Sequence, residues 1–360
     1  MEKIKPIAIY LPQFHPIPEN DIWWGKGFTE WTNVTKAKPL FKGHYQPHIP
    51  MDIGYYDLRL EAARLAQEQM AKDYGIYGFC YYHYWFNGKR LLHEPLERKL
   101  KNPKEDLPFM LCWANENWTR AWDGKENEIL IKQEYNNEDD VNHIRWLCAH
   151  VFLEERYIKV NGCPVFLVYR HNLLPNIKRT VQLWRDIAIN EFGFKGLYLC
   201  FTESFGDRTN PLDIGFDAAV EFSAHSIIKN KLKYDRKTIW LQKLGLKRKI
   251  ENVDVRDYEK GVEESINRRI SNYKLYRSVT PSWDNTARKR ENGIVAQGSS
   301  PALYYKWLKY IVKSFIPYSK EENFVFINAW NEWAEGNHLE PCEKYKYAYL
   351  EATKRALKSL

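Results

Sequence analysis

Eight short apolar runs punctuate this chain, at residues 7–11, 75–82, 109–113, 164–169, 197–201, 218–222, 275–281 and 324–330. They are rich in Ile, Val, Leu, Phe and Tyr and show little polar alternation, as expected of strands buried on both faces. Amphipathic helical patterns at 57–73, 91–101, 138–157, 178–191, 257–270, 301–315 and 344–358 fall between and after them. Strand and helix in alternation specify a parallel sheet, and eight strands specify one that closes. The expectation is an α/β chain folded as a single (β/α)8 TIM-type barrel over residues 1–360. Two additions to that plan are a long N-terminal loop from Pro12 to Pro50 and a basic insertion at about 225–256, after the sixth strand.

The insertion holds most of the unbalanced charge. Nine basic residues between Lys229 and Lys249 face Asp235 alone, and the whole chain carries +8. A nucleic-acid surface would spread its charge along a face, so nucleic acid is not expected as a partner. The segment reads either as a solvated helix or as a peripheral membrane or anionic-substrate contact. The N-terminus, MEKIKPIAIYLPQFHP, lacks the apolar core of a signal peptide, and no run of 18 apolar residues occurs. A cytoplasmic protein is expected, membrane-associated if the basic segment acts. The six cysteines, at 80, 112, 148, 163, 200 and 342, form no CxxC pair and read as buried thiols. His15, His44, His48, His83 and His338 lack ligand spacing, so no metal and no cofactor is expected.

Chemistry gathers where the strands end. The long loop carries Trp23, Trp24 and Trp31; the second strand ends in His83 and Trp85; the third in Asn115, Glu116, Trp118 and Trp122; the fifth in Glu203; the seventh in Trp283 and Asp284. The eighth runs into Trp330, Asn331, Glu332, Trp333, Glu335 and His338. In a β/α barrel the loops after the strands build the active face. Indole rings suit the apolar face of a pyranose, and carboxylates and amides suit its hydroxyls. A lone tryptophan is more often core than platform, but six or more follow strands here. These residues are the candidate contacts for an oligosaccharide or polysaccharide.

Glu332 and Glu335 are the candidate catalytic pair. Glycosyl transfer needs a proton donor for the leaving oxygen and a second carboxylate near the sugar. A spacing of three places both on one face of a turn, and their proximity pushes their pKa values apart. An ExxE pair alone is common on surface helices. Its position after a buried strand and between tryptophans is what singles this one out.

Asn331 to Pro341, NEWAEGNHLEP, resembles the N-E-W-H-E-G-x-x-I-E-P motif of glycoside hydrolase family 99, the endo-α-mannosidases and mannanases. Pro281 to Arg288, PSWDNTAR, is similar to that family's strand-seven segment. Tyr10 to Val34, with Gly43 to Pro50, resembles the WbsX family, whose members are usually labelled glycosyltransferases of bacterial O-antigen or capsule synthesis. The resemblance implies a β/α barrel acting at an anomeric carbon with retention. It implies Glu332 as the base that takes a proton from the sugar's own 2-hydroxyl, and Glu335 as the acid. Ala334 stands where family 99 has histidine, which puts mannose specificity in question.

Three functions compete. The first is a retaining glycoside hydrolase of the family 99-like type on an α-linked bacterial polysaccharide or its precursor. The second is a WbsX-type glycosyltransferase of lipopolysaccharide O-antigen or capsule biosynthesis. The third is a non-catalytic sugar-binding barrel. No G-x-G-x-x-G or P-loop supports nucleotide binding. The absent signal peptide suits cytoplasmic precursors, and the presence of both glutamates favours catalysis.

Overall fold

The computed structural model describes residues 4–120, 125–204, 206–232, 240 and 253–359. Its centre is a parallel sheet of β1 (Lys5–Tyr10), β2 (Gly78–Phe86), β3 (Phe109–Trp113), β4 (Cys163–Val168), β5 (Tyr198–Glu203), β6 (Ala218–Glu221), β7 (Leu275–Tyr276), β8 (Ser278–Val279) and β9 (Phe324–Ile327). The strands neighbour one another in sequence order, and β9 returns to pair with β1. Ile7 of β1 lies opposite Gly78 on one side and Phe326 on the other. The seventh strand is split. β7 pairs with β6 and β8 with β9, so the barrel closes across Arg277. The Arg277 carbonyl accepts from Phe326 N–H at 2.9 Å, while its guanidinium reaches Glu221 of β6 at 2.7 Å.

Apolar burial explains the closure. β1 is buried from Pro6 to Tyr10, and β3 and β9 are buried throughout, as strands sandwiched between barrel interior and helices must be. Gly78 is required where β2 enters the barrel, because a Cβ there would lie 2.5 Å from the Pro108 carbonyl oxygen. Helices α1 (Pro18–Trp24), α2 (Glu30–Lys36), α3 (Glu61–Asp73), α4 (Glu94–Lys101), α5 (Asn137–Leu147), α6 (Ile177–Asn190), α7 (Ala224–Ile228), α8 (Tyr258–Ile266), α9 (Thr286–Lys289), α10 (Pro301–Ser314) and α11 (Ala348–Leu357) complete the fold. Trp184 of α6 and Trp307 of α10 are fully buried, with indole N–H groups on Asp140 O (3.2 Å) and Ser265 Oγ (3.0 Å). A good part of the high tryptophan content is therefore core.

Several local expectations are corrected. The N-terminal loop contains α1 and α2, seven residues each and too short for a visible period. Pro18 sits in the first turn of α1, and Thr29 and Thr32 form a capping box on α2. The long helix expected over 138–157 is α5 followed by a π-helical turn, Cys148–Phe152. β2 continues past the barrel rim to Phe86 and turns back on Lys89–Leu91. A second parallel pair, Asp254–Asp257 with Ile294–Gln297, has no counterpart in the sequence reading. Most of the basic insertion, and Trp122, lie outside the described residues. Among the described residues no helix is long and apolar enough to cross a membrane.

Candidate active site

Beyond β9 the chain makes a tight hairpin. Asn331–Glu332 pairs antiparallel with Asn337–His338 around the short helical turn Trp333–Glu335. Gly336 closes the turn at φ 55°, and a Cβ there would meet the Asp284 Cβ at 2.9 Å, so glycine answers both a left-handed backbone and a close approach. The Asp284 N–H donates to the Glu335 carbonyl at 2.6 Å. The hairpin is also tied to the first strand. Asn331 Oδ1 accepts from Leu11 N–H at 2.7 Å, and its amide donates to the Leu11 carbonyl at 3.0 Å.

Beneath the turn lies Glu340, buried to 4% exposure. Its oxygens accept from the indoles of Trp330 (2.9 Å) and Trp333 (2.6 Å), from Gln67 (2.7 Å) and from Tyr56 (2.8 Å). Burial nevertheless pushes its carboxyl up to about 7. Trp333 stacks on His338 at 3.8 Å, and His338 bonds His48 at 2.8 Å. Burial keeps both histidines neutral, with His48 lowered to about 4.

The electrostatic centre is Arg288 of α9. Its Nε donates to Glu30 of α2 at 2.8 Å, its Nη1 to Glu335 at 2.6 Å and its Nη2 to Glu332 at 2.9 Å. Three carboxylates on one guanidinium leave an excess of negative charge in a place of low dielectric. Such a cluster retains a proton. Burial is the main force raising Glu332, to about 8; Arg288 opposes it, while Glu335 and Glu30 add to it. Glu30, wholly buried, is raised for the same reason. Glu335 stands more open, with 21% of its side chain exposed against 7% for Glu332. Asp284 and His44, bonded at 2.7 Å, brace the segment that carries Arg288; Thr286, at its head, donates to Asp284 from both backbone and hydroxyl.

These groups open into a cleft of about 500 Å³. Of the residues singled out in the sequence, Glu332, Glu335, Glu116, Trp118 and Trp283 line it. Glu116 is paired with Arg170 and raised by burial. Tyr82, Tyr84 and Phe86 line it as well, whereas His83 and Trp85 lie behind the strand. There His83 meets His143 at 3.0 Å and stacks on Trp146, and Trp85 donates to Asp139 at 2.9 Å. The period of two in β2 decides the matter: alternate residues face opposite sides.

The remaining candidates hold the site rather than line it. Trp31 packs on Trp333 at 5.4 Å and donates to Tyr56 O at 2.8 Å, so α2 sits over the C-terminal ends of the strands. Trp23 packs on Trp118 at 6.0 Å, and Trp24 lies against Phe28 and the Arg120 guanidinium. Asn115 clamps the Arg170 backbone through both ends of its amide. Trp330, Asn331, Trp333 and His338 are the buried supports of the turn that carries Glu332 and Glu335. Glu203 lines a neighbouring hollow of about 600 Å³ with Arg268, its ion-pair partner, and also accepts from the Tyr273 hydroxyl. That hollow shares Phe222 and His225 with the cleft. Among the described residues no group of three or more His, Cys, Asp or Glu is placed to hold a metal.

Arg288, Glu30, Gln13 and the tyrosines of β2 were absent from the sequence-derived site. Arg288 stands in the quoted PSWDNTAR segment and Glu30 within Tyr10 to Val34, but no local pattern joins residues 258 positions apart. The tyrosines were within reach, through the alternation in Tyr82-His83-Tyr84-Trp85-Phe86.

A closed parallel barrel with paired carboxylates in an aromatic cleft beyond its strand ends is an arrangement suited to carbohydrate chemistry. The chain belongs to the glycosyltransferase WbsX family, whose model matches residues 6–353. Two relatives bearing the name WxcX and no assigned function, from strains of Xanthomonas campestris pv. campestris, are each 41% identical over 352 residues. The match takes in 98% of this chain and 49% of theirs, so the chain spans about half the length of these curated relatives. Among solved structures, a glycoside hydrolase-like protein superposes with a TM-score of 0.60 at 12% identity, covering 99% of this chain and 94% of the other. The family 99 endo-α-mannosidase of Bacteroides thetaiotaomicron gives 0.58 at 11% identity, covering 98% and 96%. At those identities the likeness is one of fold.

Proposed function

We propose that this chain cleaves or transfers an α-linked sugar at its anomeric carbon with retention, and that in its simplest form it is a glycoside hydrolase of the family 99 type acting on a bacterial polysaccharide or its precursor. The observation that carries the reading is the Glu332–Arg288–Glu335 bridge inside an aromatic cleft. The sugar packs against Trp118 and Trp283. In the reactive microstate the proton retained by the cluster rests on Glu335. Glu332, ionised against Arg288, takes the proton of the sugar's 2-hydroxyl. That oxygen attacks the anomeric carbon, the glycosidic bond breaks, and the departing oxygen takes the proton of Glu335. Water or an acceptor hydroxyl then opens the anhydro sugar, giving its proton to Glu335 while Glu332 returns its own. Two inversions yield retention. A base whose conjugate acid titrates near 8 is strong enough to draw on a hydroxyl.

The second reading, transfer to a sugar acceptor in O-antigen or capsule assembly, is favoured by the family to which the chain belongs. Its acceptor would replace water in the second step with the same residues at work. The test is incubation with α-linked oligosaccharides, nucleotide sugars and lipid-linked sugars, with products read by mass spectrometry and the first-formed anomer by proton NMR. Wild type should give a retained product, free or joined to an acceptor. Glu335→Gln should lower turnover by about 10²- to 10⁴-fold, as loss of a general acid does. An inverted first product, or full activity in Glu335→Gln, would refute the assignment.

A further inference from the structure

Gln13 has no place in the chemistry above, yet it sits at its edge. It follows β1, lines the catalytic cleft and is 1% exposed. Its Nε2 is buried with no hydrogen-bond partner. An amide donor in that condition costs about 1–3 kcal/mol, and buried donors in native proteins are almost always met by some acceptor. Trp283, in the same cleft, is 7% exposed and carries the same deficiency at Nε1.

The position of Gln13 is fixed from two sides. Its carbonyl accepts the Glu30 N–H at 3.1 Å, and Glu30 holds Arg288, which holds Glu332. Two residues earlier, Leu11 is clamped by Asn331, the neighbour of Glu332. Gln13, Glu30, Arg288, Glu332, Asn331 and Leu11 thus form a closed ring of contacts. A side chain held this way by its backbone, with its amide N–H unmatched, is set for a ligand rather than for the fold.

We propose that the Gln13 amide is a substrate-contacting, specificity-determining group that donates to a sugar oxygen beside Glu332, with the Trp283 indole N–H as a second donor in the same cleft. This rests on the reading of the cleft as a sugar site. The carboxylates of the cleft offer acceptors for sugar hydroxyl protons; Gln13 and Trp283 offer donors for sugar oxygens. A hydroxyl held between the two kinds is fixed in orientation. A sugar lacking that hydroxyl leaves the donors unpaired and is rejected.

The test uses the whole chain, ¹⁵N-labelled at glutamine side chains and at indoles, titrated with the methyl α-glycosides of mannose, glucose, galactose, fucose and rhamnose. Gln13→Leu and Trp283→Phe identify the two signals by their absence. The glycoside that binds best should shift the Gln13 amide and Trp283 indole resonances. Gln13→Leu should keep the wild-type melting temperature, because it removes an unmatched polar group, and should weaken that glycoside by roughly tenfold. Binding with both resonances unmoved overturns the proposal and leaves the sugar site standing. So does undiminished binding by a folded Gln13→Leu. If none of the glycosides binds, the proposal falls with it, and a turnover product in the oligosaccharide panel then shows separately that the reading of the cleft survives. The wild-type titration decides the matter even if a variant does not fold.

Discussion

Glu332→Gln should make the protein more stable while disabling it. In the folded chain burial raises the Glu332 carboxyl from the usual 4.5 to about 8. The unfolded chain has no such burden. A carboxyl whose folded value is raised contributes stability that is whole below 4.5 and is lost as the pH climbs toward 8. At pH 7 the unfolded group is ionised and the folded one is still protonated. The gap of about 2.5 pH units, at roughly 1.36 kcal/mol each, is a penalty of about 3 kcal/mol. Glutamine removes it and keeps the 2.9 Å bond, since its carbonyl can accept from Arg288 Nη2 as the carboxyl does. Allowing for some loss of pairing strength, the variant should gain about 2–3 kcal/mol at pH 7, large against a total of about 5–15. Urea unfolding followed by tryptophan fluorescence at pH 4.5, 7 and 8 tests this. The curves should coincide at the lowest pH and separate progressively above it, with the slopes unchanged. A variant no more stable than wild type at pH 7, or a difference that does not vary with pH, would refute the account of the cluster.

Turnover should fall as the pH rises through about 8, on any substrate the panel identifies, because the carboxylate cluster then loses the single proton that the acid must donate; a rate that climbs through the same range would show that this proton is not the one the reaction uses. Gly336→Ala should cost roughly 1–3 kcal/mol in urea unfolding and most of the activity, because its methyl must push Asp284 away from a 2.9 Å approach while the backbone stays left-handed. His48 is buried with its pKa lowered to about 4. It favours the folded state fully above 6.5 and progressively less below it, so its own contribution should decline between pH 6.5 and 4, and over that range the melting temperature of wild type should fall relative to that of His48→Gln.

The barrel was legible because its cause is local. Each strand declares itself by a few consecutive apolar residues, and their order around the sheet follows from connection rules. The site was legible only in part because its cause is not local. Trp330 and Trp333 look like sugar platforms in sequence, but the hairpin after β9 turns their N–H groups onto Glu340, which nothing in the sequence marks as buried. His83 and Trp85 show the other difficulty. A strand that continues beyond the barrel rim keeps alternating, and the residues that attract the eye can be those facing the outer helix. Arg288 belongs to neither case; its partners are assembled only by closure of the ring.

The clamp between Leu11 and Asn331 joins positions 320 residues apart. On the proposed reading it ties catalytic competence to the order in which the chain leaves the ribosome. β1 is made before β2 and β9 and can pair with β2 first, while its other edge waits for β9. Until then Gln13 and Glu30 exist without Glu332 or Glu335. On the proposed reading a chain stopped before residue 335 lacks the acid and is inert however much of the barrel it has built, and activity itself reports that the ring has shut.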